Sequence, residues 1–374
     1  MLLYNEIDMQ QWQSLIDQSP TATWFQTPEA YRFYASLPDE MTPFVVGVCE
    51  VKDYRLEVKG KENGEAETIA YNLSPITYNL TSAPANCQSP IARLKGVCVG
   101  YITKEKNSIK QFFTRRAIII GGPLLSEDAS NEEVETLLKA VTNAYRQWPI
   151  ANRPIYIETR NFHDYSKWKS IFEQTGFAYQ PHYDIYVYCN EQHRMSEQRM
   201  RQVKKAIKNG AEICKATSEQ EIHDWYQILC QLYRQKVRTP LFSETFFLEF
   251  YRQGWGKYLL VKHQGKVIGG MMCPIFANKA IYEWYVCGLD ERYKEQYPSV
   301  MVTYAAIEYA KANGIAIFDF MGAGKPNVPY GVRDFKMEFG GELVEHGRFL
   351  CVRKPLLYWI GKMGVKILKN RKIW

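Results

Sequence analysis

"NVPYGVRDFKMEFGG", residues 327–341, follows an apolar run, "IAIFDF" (315–320), and a short glycine-bearing loop, "MGAGK" (321–325). Glycines beside a lysine after a strand point first to a phosphate loop. Such a loop needs a glycine five residues before its Gly-Lys pair and a Ser or Thr after it. Asp319 and Pro326 stand in those places. A dinucleotide fingerprint needs a third glycine, and Asn327 occupies that position. Neither nucleotide motif is present, so the segment has to be read from its surroundings.

Upstream, "KAIYEWYVCG" (279–288) reads as a strand ending in glycine, and "PSVMVTYAAIEYAKANG" (298–314) as a helix stopped at Gly314. The strand "IAIFDF", the segment "RDFKMEFGG" and the strand "GRFLCVR" (347–353) follow. The first half of the chain has the same order: "RRAIIIGGPLL" (115–125), a helix in "NEEVETLLKAVTNAYRQW", the strand "RPIYIETR", a helix in "SKWKSIFEQTGF" and the strand "PHYDIYVYC" (181–189). Gly121 and Gly288, Ile155 and Ile315, and Phe172 and Phe335 are offset by 160 to 167 residues. This pattern describes an internal duplication: two copies of one α/β (α+β) unit joined near residues 190–195. Residues 52–92 carry no helical period and read as an insertion in the first copy.

The joining segment predicts a helix over 196–209, with Ser196 as N-cap and Gly210 as stop. Arg201, Lys204, Lys205 and Lys208 fall on one stripe of it. That stripe is either a solvated face or a basic ridge beside a cleft that accepts phosphates, since like charges on one stripe repel unless anions neutralise them.

Composition is that of an ordinary globular chain: 374 residues, 46% hydrophobic, 23% charged. Nine cysteines are scattered without a C-x-x-C spacing, and six histidines form no H-E-x-x-H or His-Cys cluster. Buried, reduced thiols and no metal are expected. No signal-peptide pattern opens the chain, and no apolar run reaches the ~18 residues that would span a bilayer. The net charge of +7 is a tail effect. Eight basic and no acidic residues lie from Gly347 onward, leaving 39 basic against 40 acidic side chains elsewhere. That tail, "KPLLYWIGKMGVKILKNRKIW", reads as a basic amphipathic helix, either lying on an anionic membrane or docked on its own domain.

Four stretches in this order, "WFQTPEAYRFY" (24–34), "RAIIIGGPL" (116–124), "RQVKKAIKNG" (201–210) and "DFMGAG…YGVRDFKMEFGG" (319–341), resemble the FemA/FemB/FemX family. The resemblance covers nearly the whole chain apart from the insertion. It implies two tandem GNAT-like domains with mixed central sheets, spanning 1–190 and 191–346, and a C-terminal segment, 347–374. It also implies transfer of an amino acid from aminoacyl-tRNA to an amine of a peptidoglycan precursor, UDP-linked or lipid-linked. No metal, cofactor or covalent intermediate is expected, and the location would be cytoplasmic or at the inner face of the membrane.

By the same resemblance Lys336, after Phe335, stabilises charge in the transition state and faces the cleft; the bland alternative is a surface lysine. Arg201 would grip the precursor's diphosphate, with Lys204 and Arg333 as further anion contacts. The family's N-terminal lysine aligns with Tyr34, near Arg32, a departure from the pattern. Asp319 either orients the attacking amine or caps its strand. No His-carboxylate pair is readable as a base. Two other readings stay open: a GNAT-superfamily N-acyltransferase using acyl-CoA or another donor on a cell-envelope sugar or lipid amine, and a non-catalytic binding module. Against CoA, the turns that would cradle its pyrophosphate are "LDERYKEQYPSV" (289–300) and "PLLSEDASNEE" (123–133), which lack the needed glycines.

Overall fold

The computed structural model describes residues 7–50, 93–105, 111–112, 114–147, 153–190 and 195–370. The insertion read at 52–92 lies outside the described residues. The chain forms two mixed sheets.

The first sheet runs in the order β1 (Met41–Glu50), β2 (Arg93–Thr103), β3 (Arg116–Gly121), β5 (Tyr156–Asn161), β15 (Arg348–Val352) and β6 (Ala178–Gln180), with the short β4 (Leu124–Leu125) paired to β2. The second runs β14 (Glu342–Glu345), β7 (Tyr183–Tyr188), β13 (Ile317–Asp319), β11 (Ala280–Tyr282), β10 (Lys266–Phe276), β9 (Gly256–His263) and β8 (Ala211–Lys215), with β12 (Tyr285–Gly288) on β10.

The duplication is visible in the pairing. In each sheet one parallel pair, β3/β5 or β11/β13, is bridged by a long helix: α3 (Asn131–Gln147) in the first and α8 (Pro298–Ala312) in the second. Parallel neighbours require such a crossover. After it come a short helix, α4 (Lys169–Gln174) or α9 (Gly331–Met337), and two strands. Here the copies exchange partners. β7 pairs with β13 and β14, while β15 pairs with β5 and β6. The second strand of each copy has crossed into the other copy's sheet. Chain order alone assigns β7 to the first unit, and it misses this because strand pairing is non-local.

One face of the first sheet packs on α3 and α4 through Ile119, Leu137, Val141, Ile157, Phe172 and Phe349. Residues one position away point the other way, toward the second unit, because strand side chains alternate. α1 (Met9–Gln18) and α2 (Pro28–Ala35) bring the aromatic stretch of 24–34 to that side, against α6 (Glu219–Leu232) and α7 (Glu244–Gln253). Phe33 lies 5.0 Å from Phe246, 5.6 Å from Phe250 and 5.6 Å from Trp255, and Trp24 lies 5.9 Å from Trp284. Edge-on aromatic pairs of this kind each add about 0.5–1.5 kcal/mol beyond area burial. The two units thus share one buried cluster that draws residues from both halves.

Helix α5 (Glu197–Lys208) joins them, with Ser196 as N-cap accepting from the Arg199 amide, and Gly210 at φ 76° after its end. α10 (Pro355–Asn370) ends the described chain. No described helix is long and apolar enough to cross a membrane.

Candidate functional site

The apolar strand β13 ends in Asp319, and the strand β7 beside it carries Asp184. Across β13, the β11–β12 run is broken at Glu283 and Trp284: β11 pairs with β13 and with the end of β10, and β12 pairs with β10 further back. All three carboxylates are buried, and Lys336 of α9 is buried among them. The lysine ammonium has three N–H groups. They reach the carbonyls of Phe320 and Gly322, both at 2.9 Å, and Glu283 Oε1 at 2.9 Å.

The loop "MGAGK" is built around this cluster. The amide of Met321 donates to Asp319 Oδ1 at 2.6 Å, and that of Gly322 to Asp184 Oδ1 at 2.7 Å. Asp184 Oδ1 also accepts from the Ile185 amide at 2.7 Å. Met321 and Gly322 have φ of 55° and 130°, the conformation that turns successive amides inward. This loop therefore serves the protein's own carboxylates and ammonium through its N–H and C=O groups, not a phosphate.

Three carboxylates against one ammonium cannot all be ionised in a buried site. Burial pushes Asp319 well above the usual carboxylate range, and the neighbouring Asp184 charge pushes it further. Burial also raises Asp184, against two backbone amides and Lys336 that favour its charge. Burial raises Glu283, with Lys336 opposing. Of the pair, Asp319, with fewer backbone donors, is the one pushed further toward its protonated form. Two neighbouring buried carboxyls whose affinities for a proton are both raised can share one proton between them.

Beyond Gly322 lies His182, 3.7 Å from the position a Cβ on that glycine would take. His182 Nε2 accepts from Arg348 Nη2 at 3.0 Å, and burial followed by the Arg348 charge lowers its pKa to about 4. Arg348 comes from β15, and its Nη1 pairs with Glu158 Oε1 at 3.0 Å.

The two turns expected to hold a pyrophosphate, had there been a cradle, are filled by the protein's own acids. At the start of α8, Asp290 Oδ1 accepts from the Ser299 amide at 3.0 Å, and Asp290 also takes the Ser299 hydroxyl. At α3, Ser130 and Glu133 cap each other's amides, at 2.7 and 3.2 Å. The first unit's Gly121-Gly122 turn is occupied as well: Gln26 Nε2 donates to both carbonyls, and the Tyr165 hydroxyl donates to Gly121 O at 2.9 Å.

The residues singled out in the sequence are only partly brought together. Lys336 and Asp319 meet in the carboxylate cluster, but the lysine is turned inward and does not stand on the surface. Phe335 packs on Phe339 at 5.2 Å, with the Arg199 guanidinium 4.6 Å from its ring. Arg333 ties the 325–330 loop by donating to Lys325 O at 3.2 Å and to Val328 O, and lies over Tyr183. Arg201 and Lys204 are exposed on α5, where Glu197 pairs Arg201 at 3.7 Å and Glu295 pairs Lys205 at 2.7 Å. The stripe is exposed and partly neutralised by acids.

Arg32 is exposed and held by Glu29 at 3.0 Å. Tyr34 corrects the expectation of a ligand contact: it is enclosed in the core, 4.8 Å from Tyr101, because an uncharged ring fits that interior where a lysine would not. Asp184, Glu283, Glu158, Arg160, His182 and Arg348 were not singled out for a role. Their signal was a charge or imidazole beside or within apolar strand runs such as "HYDIYVY" and "IYEWYV".

Among the described residues no group of three or more His, Cys, Asp or Glu side chains could hold a metal ion. Described cysteines, Cys98, Cys273 and Cys287 among them, are free thiols.

Removing the ammonium while leaving its carboxylates should be costly. Lys336→Met is expected to lower unfolding free energy by about 3–5 kcal/mol at neutral pH, as for other broken buried pairs. Carboxylates whose folded pKa is raised bind more protons folded than unfolded, so stability falls as pH rises above the ordinary carboxylate range. Denaturant unfolding of Lys336→Met should show a deficit that shrinks on acidification; a deficit equal at pH 5 and pH 8 would mean that the lysine does not neutralise the cluster.

Residues 196–337 match the family model described as the acetyltransferase (GNAT) domain. No curated protein matches the chain in sequence. Among solved structures, the crystal structure of FemX is similar with a TM-score of 0.59 at 13% identity, over 95% of this chain and 98% of that one. L-PGS from Bacillus licheniformis aligns at 13% identity over 72% of this chain and 86% of its own, with a TM-score of 0.49. A tandem GNAT protein from the clavulanic acid biosynthesis pathway aligns at 10% identity over 69% and 79%, with a TM-score of 0.43. The chain has the tandem GNAT-like fold seen in FemX, with an acyltransferase domain of GNAT type in its second half.

Proposed function

We propose that this protein is a Fem-like aminoacyltransferase that moves an amino acid from aminoacyl-tRNA to an amine of a peptidoglycan precursor, UDP-linked or lipid-linked. The observation that carries the reading is the state of the two helix N-termini. In a chain that follows the FemX fold over 95% of its length, both are already capped by the protein's own side chains, Asp290 in one and Ser130 with Glu133 in the other. An acyl-CoA pyrophosphate would have to displace those groups to use the amides there.

In this reading the acceptor amine attacks the ester carbonyl of the donor. Asp184 takes the proton that the amine loses, and Asp319 gives its proton to the departing ribose oxygen, which leaves as the hydroxyl. The pair ends with the same total of protons as it began. Access requires the 321–330 loop to lift. Moving the Gly322 carbonyl away from Lys336 frees one ammonium N–H for the developing oxyanion, an interaction worth about 10²–10³ in rate. Arg201, Lys204, Arg333 and Arg32 remain proposed anion contacts outside this centre.

A second reading is favoured by the GNAT domain match over 196–337: N-acylation of a cell-envelope sugar or lipid amine from acyl-CoA or another donor. The decisive assay supplies labelled amino acids on a mixed charged-tRNA pool, and labelled acetyl-CoA in parallel, with a peptidoglycan precursor as acceptor. Transfer from tRNA is expected, reduced about 10²–10⁴-fold by Asp319→Asn, the span of a lost general acid. Label arriving from CoA alone would replace the first reading by the second. If Asp319→Asn left transfer unchanged, the carboxylate pair would have no part in the chemistry.

We further propose a peripheral position on an anionic membrane through α10. Leu356 and Trp359 are 71% and 61% exposed, with Ile360 and Met363 exposed on the same stripe. Lys354 sits beside the Arg115 and Arg153 charges, and Lys362 lies over the Tyr358 ring. Each basic group near an anionic leaflet contributes about 1 kcal/mol. Sedimentation with phosphatidylglycerol vesicles should pull the protein down, and with phosphatidylcholine vesicles should not. Leu356→Ser with Trp359→Ser should abolish pelleting; retention of binding by this double variant would rule out α10 as the contact.

A further inference from the structure

β6 and β7 run against β14 and β15 as one antiparallel ribbon that passes through both sheets. In the first sheet Gln180 pairs with Arg348, and in the second Tyr183 pairs with Glu345, with no change of register. Pro181 and His182 therefore stand opposite Gly347 and His346, at the joint where the ribbon leaves one sheet for the other. Backbone bonds pin this joint. The Gly347 amide donates to His182 O at 3.2 Å, the Asn161 amide to Gly347 O at 3.3 Å, and Asn161 Nδ2 to His346 O at 3.0 Å. Gly347 has φ 64°, and a Cβ there would lie 2.3 Å from the Tyr179 ring, so the turn is tight as well as pinned.

Three of the chain's six histidines meet here, which concentrates titratable groups at the one place where the ribbon changes sheets. His182 and His346 belong to the joint, and His163, from the turn after β5, lies within electrostatic reach of His346. His182 Nε2 accepts from Arg348 Nη2, so it carries no proton while that bond stands. His163 and His346 each bury an Nδ1 atom that has no hydrogen-bond partner among the described residues. Burial, followed by neighbouring positive charge, lowers His163 and His182 to about 4, and burial lowers His346 as well.

The groups that face these rings are poorly placed to receive an imidazolium. Around His182 stand Arg348 of β15, Arg160 and Glu158 of β5, and Lys325 of the loop after β13. Glu158 is already paired with both arginines. His163 and His346 face one another, Asp164, and the rings of Tyr165 and Tyr186 at 4.0 and 5.6 Å. Asp164 is engaged by the Ser166 amide and hydroxyl, at 2.8 and 2.6 Å, and nearby Glu345 by the Tyr179 hydroxyl at 3.2 Å.

We propose that the joint is an acid-operated hinge: protonation of His163, His182 and His346 opens the turn at Gly347 while the strands on either side stay paired. Like charges directly opposite one another on paired strands repel, and His182 and His346 are so placed. A proton on His182 Nε2 would also point an N–H at the Arg348 guanidinium and break that contact. An imidazole held near 4 in the closed joint and ordinary in the open one takes up a proton on opening. Opening therefore becomes easier as pH falls below about 6.5 and gains nothing more below about 4. The hinge is a property of the joint and does not depend on which donor or acceptor the chain uses.

Amide hydrogen exchange of the full chain, corrected for intrinsic rates, reads the hinge directly. Between pH 8 and pH 5 the protection of the Gly347 and Asn161 amides should fall at least about tenfold more than that of the β9 amides. Combining His163→Gln, His182→Gln and His346→Gln should remove this difference, because glutamine does not titrate and still offers Arg348 a carbonyl acceptor. Equal protection at the two pH values overturns the proposal. So does a loss that persists in the triple variant, which would assign the effect to the buried carboxylates. Should the triple variant fail to fold, imidazole NMR titration of the unaltered protein decides. The loss of Gly347 protection must coincide with proton uptake by the three imidazoles; a loss that occurs while they remain neutral refutes the hinge.

Discussion

Everything at this site depends on two strands that pair outside their own repeat. β7 leaves the first unit to lie between β13 and β14, and β15 returns from the end of the second to lie between β5 and β6. Each delivers a residue that its host sheet lacks. β7 brings Asp184 beside Asp319, and β15 brings Arg348 beside Arg160. Without the exchange, the carboxylate pair would have one member and Glu158 would lose its Arg348 partner. The aromatic cluster of Trp24, Phe33, Phe246, Phe250 and Trp284 holds the halves at the spacing that the crossing strands need. Backbone hydrogen bonds and apolar burial therefore cooperate across the unit boundary, where separate domains usually meet through smaller and more polar surfaces.

The electrostatics follow from that placement. A carboxylate cluster in the second unit and an arginine–glutamate cluster in the first lie on either side of Gly322 and His182. Neither is self-neutral: three carboxylates meet one ammonium, and two guanidiniums meet one carboxylate. Burial relieves the first imbalance by pushing Asp319 toward its protonated form. In the second, Arg160 and Arg348 keep part of their side-chain surface in contact with solvent.

Much of the framework was legible in the sequence, because its signals are local. Ser196 and Gly210 bracket α5 as their capping chemistry dictates, and the repeat of strand, helix and parallel strand follows from a duplicated pattern of apolar residues and glycines. Lys336 and Asp319 could be singled out as a pair. Their burial could not, since it depends on Asp184 arriving from a strand more than a hundred residues upstream. The basic stripe of α5 was visible as a pattern, but Glu197 and Glu295, which neutralise part of it, become partners only in three dimensions. Glu158, Arg160 and Arg348 carried a weak signal, charges alternating with apolar residues on strands. Alternation predicts a solvated face, and only the second unit packed over that face encloses it.

Native-state hydrogen exchange across a denaturant series tests the exchanged-strand account most directly. If the two strands weld the units together, the amides of 183–188 and 348–352 should share one opening free energy, equal to that of global unfolding. If either strand opened at a distinctly lower free energy while the central strands of its own sheet stayed protected, the units would be separable, and the joint site described for them could not hold.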